Sequence, residues 1–129
     1  MEPELDVPFV AFDHVQLAIP EGGERMARAF FVDVLQMVEI PKPPEIAHRG
    51  GCWFQSGGVE IHVGVESTEF RPSRKAHPAL VCSNFDAMMA QLQDSGVAIR
   101  FSETTDRARR AMIDDPFGNR LELIERAEG

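Results

Sequence analysis

The feature that most constrains the fold of this chain is an internal repeat, because the second half follows the same order of elements as the first. Each half begins with a strand, continues with an amphipathic helix and ends with three more strands. These elements are expected at residues 9–19, 26–35, 37–40, 51–55 and 59–65 in the first half, and at 77–82, 85–92, 97–101, 110–114 and 120–125 in the second. The repeat predicts two βαβββ modules, at about residues 9–66 and 76–126.

Turn and cap residues mark the boundaries of these elements. Ser56-Gly57-Gly58 separates two strands as a hairpin turn, and Pro116-Phe117-Gly118 stands at the corresponding place in the second half. Asn119 follows as a residue that tolerates the positive φ of a tight reversal. Asn84 is expected to cap the second helix, and Gly96 to end it. These boundaries keep the two halves in register with each other.

Superposing the two halves aligns four polar side chains in pairs. With the hairpin turns superposed, His62 falls on Glu122, and with the first strands superposed, His14 falls on His77. Side chains alternate between the two faces of a strand. The three histidines are therefore expected on the polar faces of their strands, whereas Glu122 is expected among apolar neighbours. Two modules related by an approximate two-fold axis would bring these side chains together across a concave sheet.

These four side chains are candidate metal ligands. Imidazole and carboxylate groups suit divalent ions such as Zn, Ni, Mn or Fe, and three histidines with one glutamate leave positions for water or substrate. A buried carboxylate such as Glu122 also needs a cation, a set of donors or a metal to offset its desolvation. The competing interpretation is that each histidine is an ordinary hydrogen-bonded residue. The sequence predicts a metal site of His14, His62, His77 and Glu122.

The composition fits one domain spanning residues 1–129 and argues against several classes of protein. At 129 residues and 43% apolar content, the chain suits one core and is too short for two independent domains. A net charge of −8 argues against nucleic-acid binding, and no apolar run approaches the roughly 20 residues of a membrane span. The acidic start is unlike a signal peptide, and Cys52 and Cys82 resemble reduced core thiols, so a cytoplasmic location is expected.

Other conspicuous residues have weaker functional interpretations. The paired glycines lack the spacing and lysine of a phosphate loop, and no serine or cysteine has the surroundings of a nucleophile, so neither a nucleotide nor covalent catalysis is expected. His48 is expected in a loop. The basic run at residues 71–75 is either a solvated linker or a site for an anionic group of a substrate. Trp53 and Phe54 either line a pocket or belong to a hydrophobic strand.

Five short motifs carry a resemblance to a known family, and their order and spacing are more specific than any one motif. They are Phe12-Asp13-His14-Val15-Gln16-Leu17-Ala18, Phe30-Phe31-Val32-Asp33-Val34-Leu35-Gln36-Met37, Glu60-Ile61-His62-Val63-Gly64, His77-Pro78-Ala79-Leu80 and Asp115-Pro116-Phe117-Gly118-Asn119-Arg120-Leu121-Glu122-Leu123. With these motifs the chain resembles the vicinal oxygen chelate superfamily, which includes glyoxalase I, fosfomycin and bleomycin resistance proteins, methylmalonyl-CoA epimerase and extradiol dioxygenases. The resemblance covers nearly the whole chain.

The resemblance implies a glyoxalase-like α+β fold, in which paired βαβββ modules form a curved mixed sheet around a cavity and a metal lies between the modules. By position, His14, His77 and Glu122 match three of the four ligand places. The fourth place is open between Glu60, near which glyoxalase-like members often carry a carboxylate, and His62, which the internal repeat favours. Glu60 is then the substitute ligand or a nearby base. Small members of the family pair as homodimers, with sites assembled within one chain or across two.

Two functions follow from the resemblance. The first is a metal-dependent lyase, isomerase or dioxygenase that acts on a small oxygenated substrate chelated through the metal, with Glu60 or Glu122 moving a proton. The second is a non-catalytic protein of the bleomycin-resistance type, which holds a small molecule in the same fold. The enzyme requires a stoichiometric metal, whereas the binding protein holds its ligand equally well when a chelator is present.

Overall fold

The computed structural model describes residues 7–102 and 108–126, so residues 1–6, 103–107 and 127–129 of the expected domain lie outside the described part. Module 1 contains β1 (Val15–Pro20), α1 (Glu24–Arg28) with a π-helical continuation (Ala29–Val34), β2 (Val38–Ile40), a 3-10 segment (Pro44–Arg49), β3 (Cys52–Ser56) and β4 (Val59–Glu66). Module 2 contains β5 (Ala79–Cys82), α2 (Phe85–Asp94), β6 (Arg100–Phe101), β7 (Arg110–Asp114) and β8 (Arg120–Glu125). This order confirms the prediction of two βαβββ modules.

Each module forms its own four-stranded sheet, and the two sheets have the same topology. The strand orders are β1-β4-β3-β2 and β5-β8-β7-β6, with one parallel pairing, of the first strand with the last, in each sheet. The residue two places after His14 pairs with His62, and the residue two places after His77 pairs with Glu122. The register therefore confirms the superposition of the two halves that the sequence predicts.

The helices bury their apolar sides, and the predicted cap residues mark the two ends of α2. α1 and its π-helical continuation span residues 24–34, which is about three turns and overlaps the expected range of 26–35. The π-helical turns bury Phe30 and Phe31, whose ring centroids lie 5.1 Å apart. The Asn84 side chain caps α2 by accepting a backbone N–H, and Gly96 follows its end with a φ of 78°. None of the described helices has the length and apolar character that a membrane crossing needs.

Three strands are shorter in the structure, by two residues or more, than the sequence patterns predict. β1 begins at Val15 rather than at residue 9. β5 begins after Pro78, which has no N–H to donate to a neighbouring strand. β6 has two residues, because the N–H of Val97 donates to the Leu92 carbonyl and completes the end of α2 instead of joining the sheet. His14 and the histidine of the second half therefore stand just before their strands.

The described residues of both modules share one hydrophobic core, and a hydrogen bond joins the helices of the two modules. The Gln91 side chain on α2 donates to the Asp33 carbonyl in module 1 at 3.2 Å. One face of each sheet adds to this core, whose buried members are Leu17, Ile19, Ala27, Phe30, Phe31, Leu35, Met37, Cys52, Phe54, Ile61, Val63, Phe85, Met89, Leu92, Ala111, Ile113, Leu121 and Leu123. Because side chains alternate along a strand, the faces that carry His62 and Glu122 turn away from the shared core.

The turn between β7 and β8 also joins the two modules. Asn119 is fully buried, and its side-chain amide donates to the Ala18 carbonyl of β1 at 2.9 Å and to Asp115 at 2.8 Å. Its side-chain oxygen accepts the Ser73 N–H at 2.8 Å. Gly118 has the predicted positive φ, at 97°, but Asn119 does not have a positive φ. The turn needs Asn119 for its side chain rather than for its backbone conformation.

Candidate functional site

Glu122, His77 and Arg110 form what we call the module 2 half-site. Oε1 of Glu122 lies 3.1 Å from Nε2 of His77, and Oε2 accepts a hydrogen bond from Nη1 of Arg110 at 2.9 Å. The side chains of Glu122 and His77 are 12% and 21% exposed. Burial disfavours the charged carboxylate, but the hydrogen bonds from Arg110 and His77 outweigh burial and hold the pKa of Glu122 below its ordinary value. The half-site thus supplies the compensation that a shielded carboxylate requires.

A backbone contact fixes which nitrogen of His77 carries the lone pair. Nδ1 of His77 lies 2.9 Å from the Lys75 carbonyl oxygen. A carbonyl only accepts hydrogen bonds, so Nδ1 carries a hydrogen. Nε2 therefore donates to Oε1 of Glu122 when the ring carries a second proton, and otherwise presents a lone pair to that acceptor. A proton or a metal ion between the two atoms would satisfy both.

His14, His62 and Glu60 form the module 1 half-site. His62 is 4% exposed, and its Nε2 lies 2.6 Å from Oε2 of Glu60. The ring of His14 stacks on the ring of His62 with centroids 3.9 Å apart. Nδ1 of His14 lies 2.9 Å from the Asp13 carboxylate, so the neutral ring of His14 also presents its lone pair at Nε2. Each of the two glutamates, Glu60 and Glu122, thus has one carboxylate oxygen in contact with a nitrogen of a neighbouring side chain, His62 in module 1 and Arg110 in module 2.

A cavity of about 670 Å³ is bordered by both half-sites. His14, Glu60 and His77 line it, together with mostly apolar residues from the beginnings of β1, β4 and β5, whereas His62 and Glu122 lie outside its lining. Its volume falls in the range of roughly 300–1,000 Å³ that is typical of small-molecule pockets. The chain therefore has room for a small molecule beside three of the predicted site residues.

Within one chain the predicted metal ligands stay in two groups. Across residues 7–102 and 108–126, no three His, Cys, Asp or Glu side chains converge as a metal-binding cluster. The predicted set is instead divided into a stacked pair, His14 with His62, and a hydrogen-bonded pair, His77 with Glu122. Each pair belongs to one module. The position of all four ligands around a single ion stays a prediction.

The outer partners that metal ligands require are already in place. Metal-bound histidines hold their second ring nitrogen against a carboxylate or carbonyl, and metal-bound carboxylates are themselves hydrogen-bonded. Here the Asp13 carboxylate, a backbone carbonyl and the Arg110 guanidinium have these roles. The atoms that remain for a cation are Nε2 of His14, Nε2 of His77 and Oε1 of Glu122. The donor set therefore fits a divalent metal chemically.

The other residues that the sequence patterns single out lie apart from these contacts, with one exception. His48 is exposed in the 3-10 segment, and the cationic side chains of the 71–75 run are exposed beside the cavity. Phe54 is fully buried in the shared core. Trp53 is the exception, because its ring stacks on the ring of His62 with centroids 3.9 Å apart.

Arg110 is the site residue that the sequence patterns miss. Met112 pairs directly with Glu122 across β7 and β8, and Arg110 lies two residues away on the same face of β7. Such diagonal neighbours are within reach of long side chains. The two-residue spacing identifies Arg110 only when the register of the two strands is known, and the sequence alone does not fix that register.

Comparisons with known proteins agree with this fold. The sequence model for the Glyoxalase/Bleomycin resistance protein/Dioxygenase superfamily matches residues 11–123. No curated protein matches the chain at a significant level.

Solved structures with similar folds differ widely in their sequence identity to this chain. A protein from Bacillus anthracis assigned to the glyoxalase family is 43% identical, with a TM-score of 0.87, and the match covers 91% of this chain and 95% of that one. TnmS3, an antibiotic binding protein from Streptomyces sp. CB03234, is 23% identical with a TM-score of 0.69, covering 92% of this chain and 100% of that one. The fosfomycin resistance protein FosX from Listeria monocytogenes is 15% identical with a TM-score of 0.70, covering 92% and 95%. The last two matches show the fold alone.

Proposed function

Because the chain belongs to the glyoxalase/bleomycin resistance protein/dioxygenase superfamily, we propose that it is a divalent-metal-dependent enzyme that acts on a small oxygenated molecule. The observation that carries this proposal is the contact between Nε2 of His77 and Oε1 of Glu122, 3.1 Å apart, where a metal ion can replace the proton that the two atoms would otherwise share. The other nitrogen of His77 and the other oxygen of Glu122 already have their own partners. A metal ion bound to Nε2 of His77 and Oε1 of Glu122 would give each of these two atoms a partner.

Two observations support Glu60, rather than His62, as the fourth ligand beside His14, His77 and Glu122. Glu60 lines the cavity, whereas His62 lies outside the lining. Nε2 of His62 is also committed to Glu60 at 2.6 Å, which suits a residue that orients a ligand. The proposal therefore differs from the preference for His62 that the internal repeat gives.

We further propose that the complete site forms between two copies of the chain. The shared core and the buried Asn119 contacts hold the two modules together, so the half-sites cannot move toward each other without breaking that core. A second copy is then the source of the missing donors. In a two-fold symmetric dimer, module 1 of each chain would face module 2 of its partner, which gives two equal sites.

The chain's own residues define what such a site does. A bound divalent ion would supply positive charge for an oxyanion or for two chelated oxygens of a substrate. The mostly apolar residues around each half-site, at the beginnings of β1, β4 and β5, bind and orient a small molecule. Glu122 stays paired with Arg110, so Glu60, which borders the cavity, is the carboxylate that takes a proton from the bound molecule. These roles are compatible with lyase, isomerase or dioxygenase chemistry.

Elemental analysis of protein purified without an affinity tag tests the proposal. We expect a stoichiometric divalent metal in the wild-type protein and in the control variant His48→Ala, because His48 is exposed and apart from both half-sites. We expect the metal to be lost in His77→Ala. Negligible metal in all three proteins, after incubation with Zn, Ni, Mn or Fe, would rule out the metalloenzyme.

A second candidate function is a non-catalytic small-molecule binding protein of the same superfamily. The observation in its favour is the ion pair of Arg110 with Glu122 at 2.9 Å, which compensates the carboxylate without any metal. This candidate predicts that a small apolar molecule occupies the 670 Å³ cavity with the same affinity whether or not a chelator is present. Calorimetric titration with and without chelator separates the two functions.

A further inference from the structure

The two modules differ at one strand position that lies beside the half-sites. In module 1, Trp53 of β3 pairs with His62 of β4. At the matching position in module 2, Met112 of β7 pairs with Glu122 of β8. Module 1 therefore has an aromatic ring beside its histidine, whereas module 2 has a flexible methionine beside its glutamate. The internal repeat is not kept at this position.

The ring of His62 is held between two flat groups. The Trp53 ring stacks on the His62 ring at a centroid distance of 3.9 Å and an interplanar angle of 5°. The His14 ring stacks on His62 at 3.9 Å and 13°. The hydrogen bond from His62 to Glu60 leaves through Nε2, which lies in the plane of the ring. Fixing the plane of the ring therefore fixes the direction of that hydrogen bond.

Trp53 is not a member of the hydrophobic core. Its neighbours on β3, Cys52 and Phe54, are buried in the shared core, so alternation places the indole on the opposite face of the sheet. It is half-buried there. An aliphatic residue would suffice to cover this face, as Met112 does in module 2, so the aromatic ring points to a role in stacking.

We propose that Trp53 is a positioning residue that acts through His62 on Glu60. By stacking on His62, the indole holds the imidazole in the plane from which Nε2 reaches the Glu60 carboxylate. The inference rests on the proposed function, in which Glu60 and His14 are ligands of one metal site. It adds a residue whose effect is on the geometry of the ligands and not on contact with the metal or substrate.

Three variants test this role by the dissociation constant for Zn²⁺, measured by chelator competition. We expect Trp53→Leu to bind Zn²⁺ about 10-fold or more weakly, as is typical when an outer partner of a metal ligand is removed. Trp53→Phe keeps a flat ring and should recover most of the affinity. Met112→Leu, at the equivalent position of module 2, should bind as the wild type does. Thermal unfolding of the metal-free proteins shows that each variant is folded.

The emission of Trp53 gives a second readout, because it is the only tryptophan in the chain. We expect Zn²⁺ to change its emission spectrum in the wild-type protein, with a midpoint that equals the dissociation constant from competition. Equal Zn²⁺ affinity of Trp53→Leu and the wild type, or an emission spectrum that Zn²⁺ leaves unchanged while it binds, would overturn the positioning role. Absence of Zn²⁺ binding in the wild type would instead overturn the proposed function.

Discussion

Glu122 shows how one shielded carboxylate is kept ionised by two neighbours of different kinds. Burial opposes the charge, and the hydrogen bonds from Arg110 and His77 overcome that opposition, so the pKa of the folded state lies below the ordinary value of 4.5. A lowered pKa means that ionised Glu122 stabilises the fold above its unfolded-state pKa. That stability is lost as the pH falls through the folded-state pKa.

Replacing Arg110 tests this pairing in the metal-free protein. We expect Arg110→Gln to lower the free energy of unfolding by about 1–2 kcal/mol at pH 7, because the charged carboxylate loses a charged donor. The loss should be smaller at pH 3.5 than at pH 7, because protonation of Glu122 at low pH removes the charge that Arg110 compensates. Urea denaturation at the two pH values measures both quantities.

The matched control is Arg100→Gln, since Arg100 pairs with Asp114 on the surface with both side chains more than 40% exposed. Exposed pairs contribute little to stability, so this variant should change the free energy of unfolding only slightly. A loss for Arg110→Gln that matches the control, or that does not depend on pH, contradicts the role given to Arg110.

Cys52 provides a second prediction for a single residue. Both cysteines are free thiols, as the sequence predicts, and burial raises the pKa of the Cys52 thiol from 9.0 to about 11. Only the thiolate reacts with iodoacetamide, so at pH 8 the folded protein should be labelled at Cys52 roughly 100-fold more slowly than the unfolded protein. The variant Cys82→Ser isolates this thiol for mass spectrometry. Similar labelling rates with and without urea would show that Cys52 is accessible.

At the level of elements, the turn between β7 and β8 connects three parts of the chain. The Asn119 side chain makes hydrogen bonds to β1, to the linker before β5 and within its own turn. We expect Asn119→Ala to lower the free energy of unfolding by about 2–4 kcal/mol, because it removes these contacts at a fully buried position. Urea denaturation at neutral pH is the measurement.

A comparison with Asn84→Ala separates this role from an ordinary helix cap. Asn84 makes a single capping hydrogen bond to the N–H of Ala87, so its replacement should cost about 1 kcal/mol. If the two variants lose the same stability, the side chain of Asn119 is only a local turn residue and does not join the modules.

The elements that the sequence predicts correctly are those with local causes. Alternation, helical spacing and turn residues predict the order of strands and helices, and the repeat predicts which residues share a register. The errors also have local physical reasons, such as the missing N–H of Pro78 and the use of the Val97 N–H by α2. Contacts across elements are harder to predict. The diagonal pair of Arg110 with Glu122 depends on strand register, and the reach of Asn119 to Ala18 depends on how two modules pack.

At the scale of the whole molecule, the packing of the two modules decides which chains supply the ligands of one site. The sequence offers two arrangements, within one chain or across two, because the packing of one module on the other leaves no mark in strand or helix patterns. Among the described residues, the shared core and the Asn119 contacts hold the modules together, and the predicted ligands form two groups.

Mixing two inactive variants tests the shared site. His14→Ala damages the module 1 half-site, and Glu122→Ala damages the module 2 half-site, so each homodimer alone should bind no metal. If sites form across chains, a mixed dimer contains one site in which both half-sites are intact. We expect the mixture, after unfolding and refolding together, to recover metal binding, measured by elemental analysis of the dimer fraction.

The control is a mixture of His14→Ala with Glu60→Ala, which damage the same half-site and should recover nothing. Recovery in neither mixture, with the wild type binding metal after the same treatment, would place each complete site within a single chain. A monomer by light scattering at all concentrations would lead to the same conclusion.

The shared core has a consequence for the history and engineering of the chain. Both halves contribute residues to the shared core, so a gene fragment encoding one half would yield a polypeptide with part of that core exposed to water. Such a fragment would gain most by associating with a second identical fragment through the same surface. Because the two halves are covalently linked in this chain, they stay together although they carry different polar groups.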